Sequence, residues 1–212
     1  MSLFNVYPIY NIKPFKALGA TVWDENGQEY LDFYGGHGVI SVGHSHPKYV
    51  EAIQNQIEKI GFYSNSIQNP LQEAFAKKLT EVSGYPDYSV FLCNSGAEAN
   101  ENALKLASFH NKKSKVIAFE KSFHGRTSAS VAVTDNPSII APINANHEVI
   151  FLPLNEIDKI KKAISENEIT AIIIEGIQGV GGLDEGTTAF FQKLETICNE
   201  NNVILILDEI QS

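Results

Sequence analysis

The fold class of this chain is decided by the stretch VILILDEIQS at residues 203–212. Its first five residues are all branched aliphatic, a pattern that predicts a short β-strand covered on both faces. Ligands of open α/β sheets bind outside the carboxyl ends of such strands. We therefore expect Asp208, the first residue after the apolar run, to lie at a functional site.

Upstream of this strand, apolar strands alternate with amphipathic helices. Further strands are predicted at residues 89–93, 116–119, 149–152 and 171–174. A helix is predicted from Gly96 to His110, and two more are predicted after N-caps at Asn155 and Thr187. This alternation predicts an α/β fold with a mainly parallel sheet and flanking helices, in which the strand ends carry the functional residues.

The N-terminal part follows a different pattern. Two short apolar runs flank the turn residues Asn26 and Gly27, which predicts a β-hairpin. Four glycines then follow within nine residues and indicate irregular backbone, and two amphipathic helices come next, each opened by a proline. We predict an N-terminal segment at residues 1–45 and a second domain at residues 46–212.

The loop before the helix at Gly96 belongs to the segment NSGAEANE at residues 94–101. Ser95 followed by Glu98 is a capping-box pattern. The small residues Gly96 and Ala97 leave the first backbone N–H groups of the helix uncovered, and an anion such as phosphate binds such groups without a basic side chain. An ordinary capped helix explains the same residues, so this loop alone does not identify an anion site.

A second loop, SFHGRT at residues 122–127, follows the strand that ends at Phe119. Arg126 offers a planar fork suited to a carboxylate, and Phe123 offers a ring face for stacking. His124 is interpreted either as a general base or as a structural histidine, and the structural role is favoured. A surface arginine and a core phenylalanine would explain this loop if it stood alone.

A third loop, EGIQGVGG at residues 175–182, is rich in glycine and begins with Glu175 at a strand end. Together the loops place an anion cradle, an aromatic face, a carboxylate fork and a buried acid at one edge of the sheet. This combination suits a flat, phosphorylated heteroaromatic cofactor that handles a carboxylic acid. Pyridoxal 5′-phosphate meets the description, because the carboxylate of Asp208 would keep its ring nitrogen protonated.

Composition and spacing argue against several other classes of protein. A net charge of −9 and a pI near 5.1 disfavour a nucleic-acid partner, which needs a clustered positive surface. No apolar stretch nears the ~18 residues of a membrane span and no export signal is visible, so a cytoplasmic location is expected. Cys93 and Cys198 are expected to be reduced thiols. His44 and His46 lack acidic or thiol companions, so no metal site is predicted.

Several motifs resemble the class III, or ornithine-type, pyridoxal-phosphate aminotransferases of the fold type I superfamily. The resemblance covers nearly the whole chain, and its landmarks include GHSHP at 43–47, NSGAEANE at 94–101, FHGRT at 123–127 and DEIQ at 208–211. It implies a homodimer. It also implies that residues 1–45 are part of a small domain and residues 46–212 an incomplete cofactor-binding large domain.

The resemblance implies roles for individual residues. The residues that would hold the cofactor are Ser95, Gly96, Ala97, Phe123, Asp208 and Gln211. The first three would hold the phosphate, the phenylalanine would stack on the pyridine ring, the aspartate would pair with the ring nitrogen and the glutamine would reach the ring hydroxyl. Arg126 would bind the substrate carboxylate, and Glu175 would line the substrate site.

Within the class, the chain is most similar to acylornithine aminotransferases. This implies transfer of an amino group from N-acetyl- or N-succinylornithine to 2-oxoglutarate in arginine biosynthesis. Family members often have proline and glutamate where this chain has Gly176 and Val180, and free-ornithine enzymes have tyrosines where it has Ile12 and His37. These departures count against free ornithine. Two alternatives stay open: a class III aminotransferase for another amine, such as 4-aminobutyrate, lysine or ornithine, and a non-catalytic pyridoxal-phosphate-binding module.

Length is the largest departure from the family pattern. Relatives place the Schiff-base lysine a few tens of residues beyond the D-E-x-Q motif and follow it with a second lobe. No lysine of this sequence matches that position. We therefore expect that the C-terminal part of the fold is missing from these 212 residues and that they are inactive on their own.

Overall fold

The computed structural model describes residues 3–6 and 8–212. Backbone contacts divide the chain into unit 1 (residues 1–88) and unit 2 (residues 89–212). The two-domain assignment with a boundary after residue 45 stays a prediction. No helix in the described ranges is long and apolar enough to cross a lipid bilayer.

Unit 1 begins with a three-stranded antiparallel sheet. Its strands are β1 (Pro14–Leu18), β2 (Thr21–Asp24) and β3 (Glu29–Leu31), in the order β1-β2-β3. The carboxylate of Asp24 closes the β2–β3 turn, because its Oδ1 accepts the N–H groups of Asn26 and Gln28, each at 2.9 Å. The predicted hairpin is confirmed, and β1 is a strand that the sequence pattern does not reveal.

The glycine-rich segment that follows contains α1 (Gly35–Gly38), a single turn with left-handed dihedral angles. The φ angle is 59° at Gly36 and 63° at His37. Asp32 fixes the start of this turn, since its Oδ1 accepts two backbone N–H groups at 2.8 Å and its Oδ2 lies 2.7 Å from Nε2 of His44. The described residues contain no group of three or more His, Cys, Asp and Glu side chains that could hold a metal ion.

Two helices complete unit 1. They are α2 (Pro47–Ile57) and α3 (Pro70–Ser83), and both begin at the proline that opens the amphipathic pattern. The side chain of Asn69 caps α3 by accepting the N–H of Leu71 at 3.0 Å. Gly84 ends α3 in the left-handed conformation that glycine adopts without a steric cost.

Unit 2 is built on a parallel sheet and also contains a short antiparallel pair of strands. The strands of the unit are β4 (Lys115–Phe119), β5 (Val149–Leu152), β6 (Ile169–Glu175), β7 (Ile177–Gln178), β8 (Asp184–Glu185) and β9 (Ile204–Asp208). The main sheet has the order β5-β4-β6-β9 with every pair parallel, while β7 and β8 form a separate antiparallel pair. The predicted mainly parallel sheet is therefore confirmed.

Helices cover both faces of this sheet. They are α4 (Gly96–Asn111), α5 (Ser128–Ala132), α6 (Ile157–Glu166) and α7 (Thr188–Asn201). Alternate residues of β6 belong to different apolar clusters: Ile172 packs with Leu194 of α7, and Ile173 packs with Leu104 of α4. Since burying one isoleucine contributes roughly 1.5–3 kcal/mol, the two clusters fix the sheet between its helices.

Two local predictions are wrong. Residues 89–93 form no strand, because they pair with no other strand in the part of the chain that the structure describes. Asn155 does not cap α6, since its Oδ1 accepts the N–H of Thr187 at 2.8 Å instead. The predicted cap of α7 is confirmed, because Thr187 Oγ1 accepts the N–H of Phe190 at 3.1 Å.

Candidate active site

The predicted site residues of unit 2 are carried by the carboxyl ends of three strands and by the start of one helix. β4 leads into the loop at 120–127, β6 into the loop at 176–182, and β9 into residues 209–212. β6 and β9 are paired in register, with Glu175 directly beside Asp208. The parallel sheet thus brings the two acidic strand ends together.

Asp208 is a buried acid with 7% of its surface exposed. Its Oδ2 accepts two hydrogen bonds, from Nδ1 of His124 at 2.8 Å and from Nδ2 of Asn100 at 2.7 Å. Its Oδ1 accepts the N–H of Ile210 at 3.2 Å. Burial by itself would raise the pKa of Asp208, but the hydrogen bonds from His124 and Asn100 outweigh it and hold that pKa below the ordinary value.

His124 lies against this acid, and its side chain is fully buried. Because a carboxylate only accepts hydrogen bonds, the proton between the two groups belongs to Nδ1. Nε2 has no hydrogen-bond partner in the described chain, and the backbone N–H donates to Thr134 Oγ1 at 2.9 Å. The histidine therefore orients Asp208, in agreement with the structural role favoured by the sequence.

Glu175 joins two loops through its carboxylate. Oε1 accepts the N–H of Phe123 at 2.9 Å, and Oε2 accepts the N–H of Gly179 at 3.2 Å. Burial raises the pKa of Glu175, and the two backbone donors reduce the size of that rise. Both carboxylate oxygens of Glu175 thus accept hydrogen bonds from loop backbone. The sequence predicted that Glu175 lines the substrate site and did not predict these two hydrogen bonds.

The start of α4 has the predicted cap. Ser95 Oγ accepts the N–H of Glu98 at 3.2 Å, and Glu98 Oε2 accepts the N–H of Asn94 at 2.6 Å. The carboxylate therefore reaches one residue further back than in the usual capping box. The first backbone N–H groups of α4 are those of Gly96 and Ala97, which carry little or no side chain.

Close contacts bring the start of α4 to the other two loops. A Cβ added to Gly96 would lie 2.9 Å from the side chain of Ile210, and one added to Gly125 would lie 2.8 Å from Cβ of Ala97. Gly125 requires glycine, because its φ of 141° is in the region that L side chains rarely adopt and a Cβ there would also lie 3.1 Å from Cα of Ala97; at Gly96, a Cβ would displace the side chain of Ile210. The segments 94–97, 123–127 and 208–211 consequently form one cluster.

The remaining predicted residues lie in the same loops. The guanidinium carbon of Arg126 is 6.0 Å from the ring centroid of Phe123, at the limit of a cation–π contact. Gln211 extends toward the glycine-rich loop, since a Cβ on Gly179 would lie 2.9 Å from its Oε1. The geometry allows the cluster to offer a backbone anion site, an aromatic face and an ionised buried acid to one ligand.

Asn100 is a residue of this cluster that the sequence prediction missed. It occupies the buried stripe of α4 together with Leu104 and Ala107, at helical spacing. A polar side chain at an apolar stripe position signals a buried partner, because an unpaired buried amide is costly. That signal is visible in the sequence, but the identity of its partner, Asp208, is not.

The class III aminotransferase family profile matches residues 5–212. The chain belongs to the class III aminotransferases. The cofactor of this family is pyridoxal 5′-phosphate.

Individual relatives carry acylornithine and ornithine names. The chain is 40% identical to the acetylornithine aminotransferase of Bacillus amyloliquefaciens, over 100% of this chain and 92% of that sequence. It is 42% identical to the succinylornithine transaminase of Photorhabdus laumondii, over 94% of this chain and 50% of the relative. The crystal structure of ornithine aminotransferase from Toxoplasma gondii ME49 superposes with a TM-score of 0.90 at 28% identity, over 99% of this chain and 51% of that one. Against most of the curated relatives it matches, the chain spans about half of their length.

Proposed function

We propose that this class III aminotransferase is a transaminase of arginine biosynthesis. It would transfer the amino group of N-acetyl- or N-succinylornithine to 2-oxoglutarate. The observation that carries the proposal is Asp208, a buried acid held as a carboxylate at a strand end beside the start of α4. The names of the relatives support the choice of an acylornithine. A cytoplasmic homodimer belongs to the same proposal.

The residues of the cluster fit pyridoxal phosphate. The start of α4, with the Ser95 hydroxyl and the N–H groups of Gly96 and Ala97, would hold the phosphate. The ring of Phe123 would stack on the cofactor ring. When bound, the cofactor supplies an electron sink for the carbon that loses its proton.

Asp208 and Gln211 would contact the polar atoms of the cofactor ring. A carboxylate whose pKa lies below the ordinary value stays ionised at neutral pH and stabilises a proton on a ring nitrogen. Gln211 would bind the ring hydroxyl. His124 donates a hydrogen bond to Oδ2 of Asp208 and is one of the contacts that orient the acid.

Arg126 and Glu175 would act on the substrate side. Arg126 is the only arginine among the 212 residues, and its planar fork suits a carboxylate, a group that both the amino donor and 2-oxoglutarate carry. A fixed carboxylate orients the bond that breaks. Glu175 would line the substrate site while its oxygens keep the loops of Phe123 and Gly179 in place.

The activity is tested on the intact gene product with 2-oxoglutarate and a panel of amine donors. Glutamate formation is measured with N-acetylornithine, N-succinylornithine, ornithine, 4-aminobutyrate and lysine. We expect the highest kcat/KM with one of the two acylornithines. A preference for another amine would contradict the substrate, and an inert protein that still binds pyridoxal phosphate would identify a binding module.

The role of Arg126 is tested by Arg126→Lys, which keeps the charge and loses the fork. We expect KM to rise about tenfold or more for both substrates, since the fork contributes a charge-assisted hydrogen bond of roughly 1.5–3 kcal/mol. Lys193→Met, on an exposed position of α7, is the control and should leave both KM values unchanged. Equal KM values in Arg126→Lys and the control would remove Arg126 from the substrate site.

For residues 1–212 produced alone, we expect no turnover and weak cofactor binding. The nearest lysine to the end of β4 is Lys121, whose ammonium lies 2.8 Å from Asp184. The hydrogen bond that the ammonium of Lys121 donates to Asp184 raises the pKa of Lys121, so this amine stays protonated and is a poor nucleophile. A stoichiometric, borohydride-reducible pyridoxal-phosphate adduct on one lysine would contradict this expectation.

A further inference from the structure

Asn100 uses both of its amide hydrogens inside the cluster. One N–H donates to Oδ2 of Asp208 at 2.7 Å, and the other donates to the backbone carbonyl of His124 at 2.8 Å. The residue is buried, with 5% of its surface exposed. Because both partners only accept hydrogen bonds, the orientation of the amide is fixed.

The two oxygens of Asp208 are consequently unequal. Oδ2 receives two short hydrogen bonds, from Asn100 and His124. Oδ1 receives one longer bond at 3.2 Å, from the backbone N–H of Ile210. Oδ1 therefore retains more capacity to accept a further donor.

The torsion that turns a carboxylate is intrinsically soft, so an aspartate needs outside contacts to hold one orientation. His124 supplies one such contact but is itself a loop residue of the β4–α5 connection. Asn100 lies on α4 and donates hydrogen bonds both to the carboxylate of Asp208 and to the backbone of that loop. It thereby connects α4, whose first N–H groups form the proposed phosphate site, to the acid at the end of β9.

We propose that Asn100 is a positioning residue that turns Oδ1 of Asp208 toward the cofactor ring nitrogen by anchoring Oδ2 and the His124 loop. This role rests on the proposed function, since it supposes a ring N–H donor at Oδ1. The titratable groups around the acid are His124 and, on the adjacent strand, Glu175. Asn100 adds a donor without adding a charge.

Asn100→Leu and Asn100→Asp test the proposal, with Asn102→Leu as the matched control. Asn102 lies on the same helix, and its amide donates to the carbonyl of Glu98 at 2.8 Å rather than to Asp208. The probe is pyridoxamine 5′-phosphate, which binds without forming an imine with a lysine. Its affinity for the protein freed of cofactor is measured by fluorescence. We expect both Asn100 variants to bind about ten- to a hundred-fold more weakly than the wild type, and the control to bind equally well.

A second measurement needs no cofactor. The side-chain carboxyl resonance of Asp208 is followed by NMR as the pH is lowered. We expect the pKa of Asp208 to rise in Asn100→Leu, which removes a donor, and to rise further in Asn100→Asp, which adds a neighbouring carboxylate. The control should leave it unchanged.

The two measurements separate the possible failures. If the Asn100 variants fold and match the control in both affinity and the Asp208 titration, the positioning role is overturned. If the wild type does not bind pyridoxamine phosphate, the cofactor role fails, while the Asp208 titration still decides whether Asn100 holds the acid. If Asn100→Leu does not fold, Asn100→Asp keeps the shape of the side chain and carries both tests.

Discussion

Unit 1 and unit 2 use the same amphipathic patterns but bury them to very different degrees. In α3 of unit 1, Leu71 and Phe75 are 57% and 49% exposed. In α7 of unit 2, Phe190 and Leu194, at similar helical spacing, are 3% and 0% exposed. Across the described part of residues 1–88, no residue is buried.

The difference comes from what stands beside each helix. α7 packs on a four-stranded parallel sheet whose central strands are apolar on both faces. α3 has an equivalent apolar stripe, but no described element of unit 1 offers it a buried face. Helical periodicity thus predicts which side of a helix is apolar and leaves open what covers that side.

Thiol labelling gives the largest expected contrast between the units. Burial raises the pKa of Cys198 in α7 to about 12, so its thiolate is about a thousandfold scarcer than that of an ordinary thiol. A cysteine introduced in α3 by Val82→Cys, at a position 65% exposed, should react with a thiol reagent at least about a thousandfold faster. Rates are compared in a Cys93→Ser background, because Cys93 is itself exposed. Equal rates in native buffer would show that the core of unit 2 opens readily; equal rates in denaturant are the control.

Two phenylalanine truncations compare the cores directly. Phe119→Ala removes a fully buried ring in β4 and should lower the free energy of unfolding by about 3–5 kcal/mol. Phe75→Ala removes a half-exposed ring in α3 and should lower it by less than about 1.5 kcal/mol. Urea denaturation followed by circular dichroism measures both. Similar losses would mean that the α3 stripe is buried in solution.

Acid titration sharpens the comparison through one aspartate in each unit. The pKa of Asp208 lies below its ordinary value because the hydrogen bonds from His124 and Asn100 outweigh the effect of burial. The pKa of Asp32 also lies below its ordinary value, because the carboxylate accepts hydrogen bonds from His44 and from two backbone N–H groups. Each carboxylate therefore contributes stability that is present above the unfolded pKa near 3.8 and is lost as the pH falls through the lower folded pKa. We expect Asp208→Asn to flatten the acid limb of the stability curve more than Asp32→Asn, because Asp208 is the more buried acid.

Urea midpoints between about pH 2 and pH 7 measure this difference. Asn preserves the shape of each side chain, so packing changes little. An unchanged acid limb in Asp208→Asn would show that the acid is not held by His124 and Asn100 in solution.

The helix caps give the smallest expected effect. Thr187→Ala in unit 2 and Asn69→Ala in unit 1 each remove one capping acceptor, at a cost of about 1 kcal/mol. Hydrogen exchange should show faster opening confined to α7 in the first variant and to α3 in the second. Faster exchange across both helices in either variant would show that the two units open together.

Much of the site follows from strand ends that the sequence reveals. Asp208 and Glu175 each come directly after an apolar run, and the register of β6 and β9 places them side by side as the parallel sheet predicts. The Ser95–Glu98 cap and the Thr187 cap also follow from local spacing. The two caps depend on residues that are close together in the sequence, and the pairing of the two acids depends on the regular hydrogen bonds between two parallel strands.

The contacts that organise Asp208 do not follow from such spacing. Its hydrogen bonds to Asn100 and His124 join residues 108 and 84 positions apart. The failed prediction of a strand at 89–93 has the same origin, because a strand exists only where another strand accepts its hydrogen bonds. Distant pairing of this kind is decided by the packed fold.

The sequence by itself determined the alternation of strands and helices, the parallel sheet, the strand-end acids and the resemblance to class III aminotransferases. Hydrophobic periodicity and helix capping depend on residues that are close together in the sequence, so both can be recognised without the fold. Only the tertiary structure decided that His124 and Asn100 share one oxygen of Asp208, that Glu175 ties two loops, and that unit 2 rather than unit 1 buries its apolar stripes. Those outcomes require surfaces from distant segments to meet, and the free energy of burial and hydrogen bonding exists only once they do.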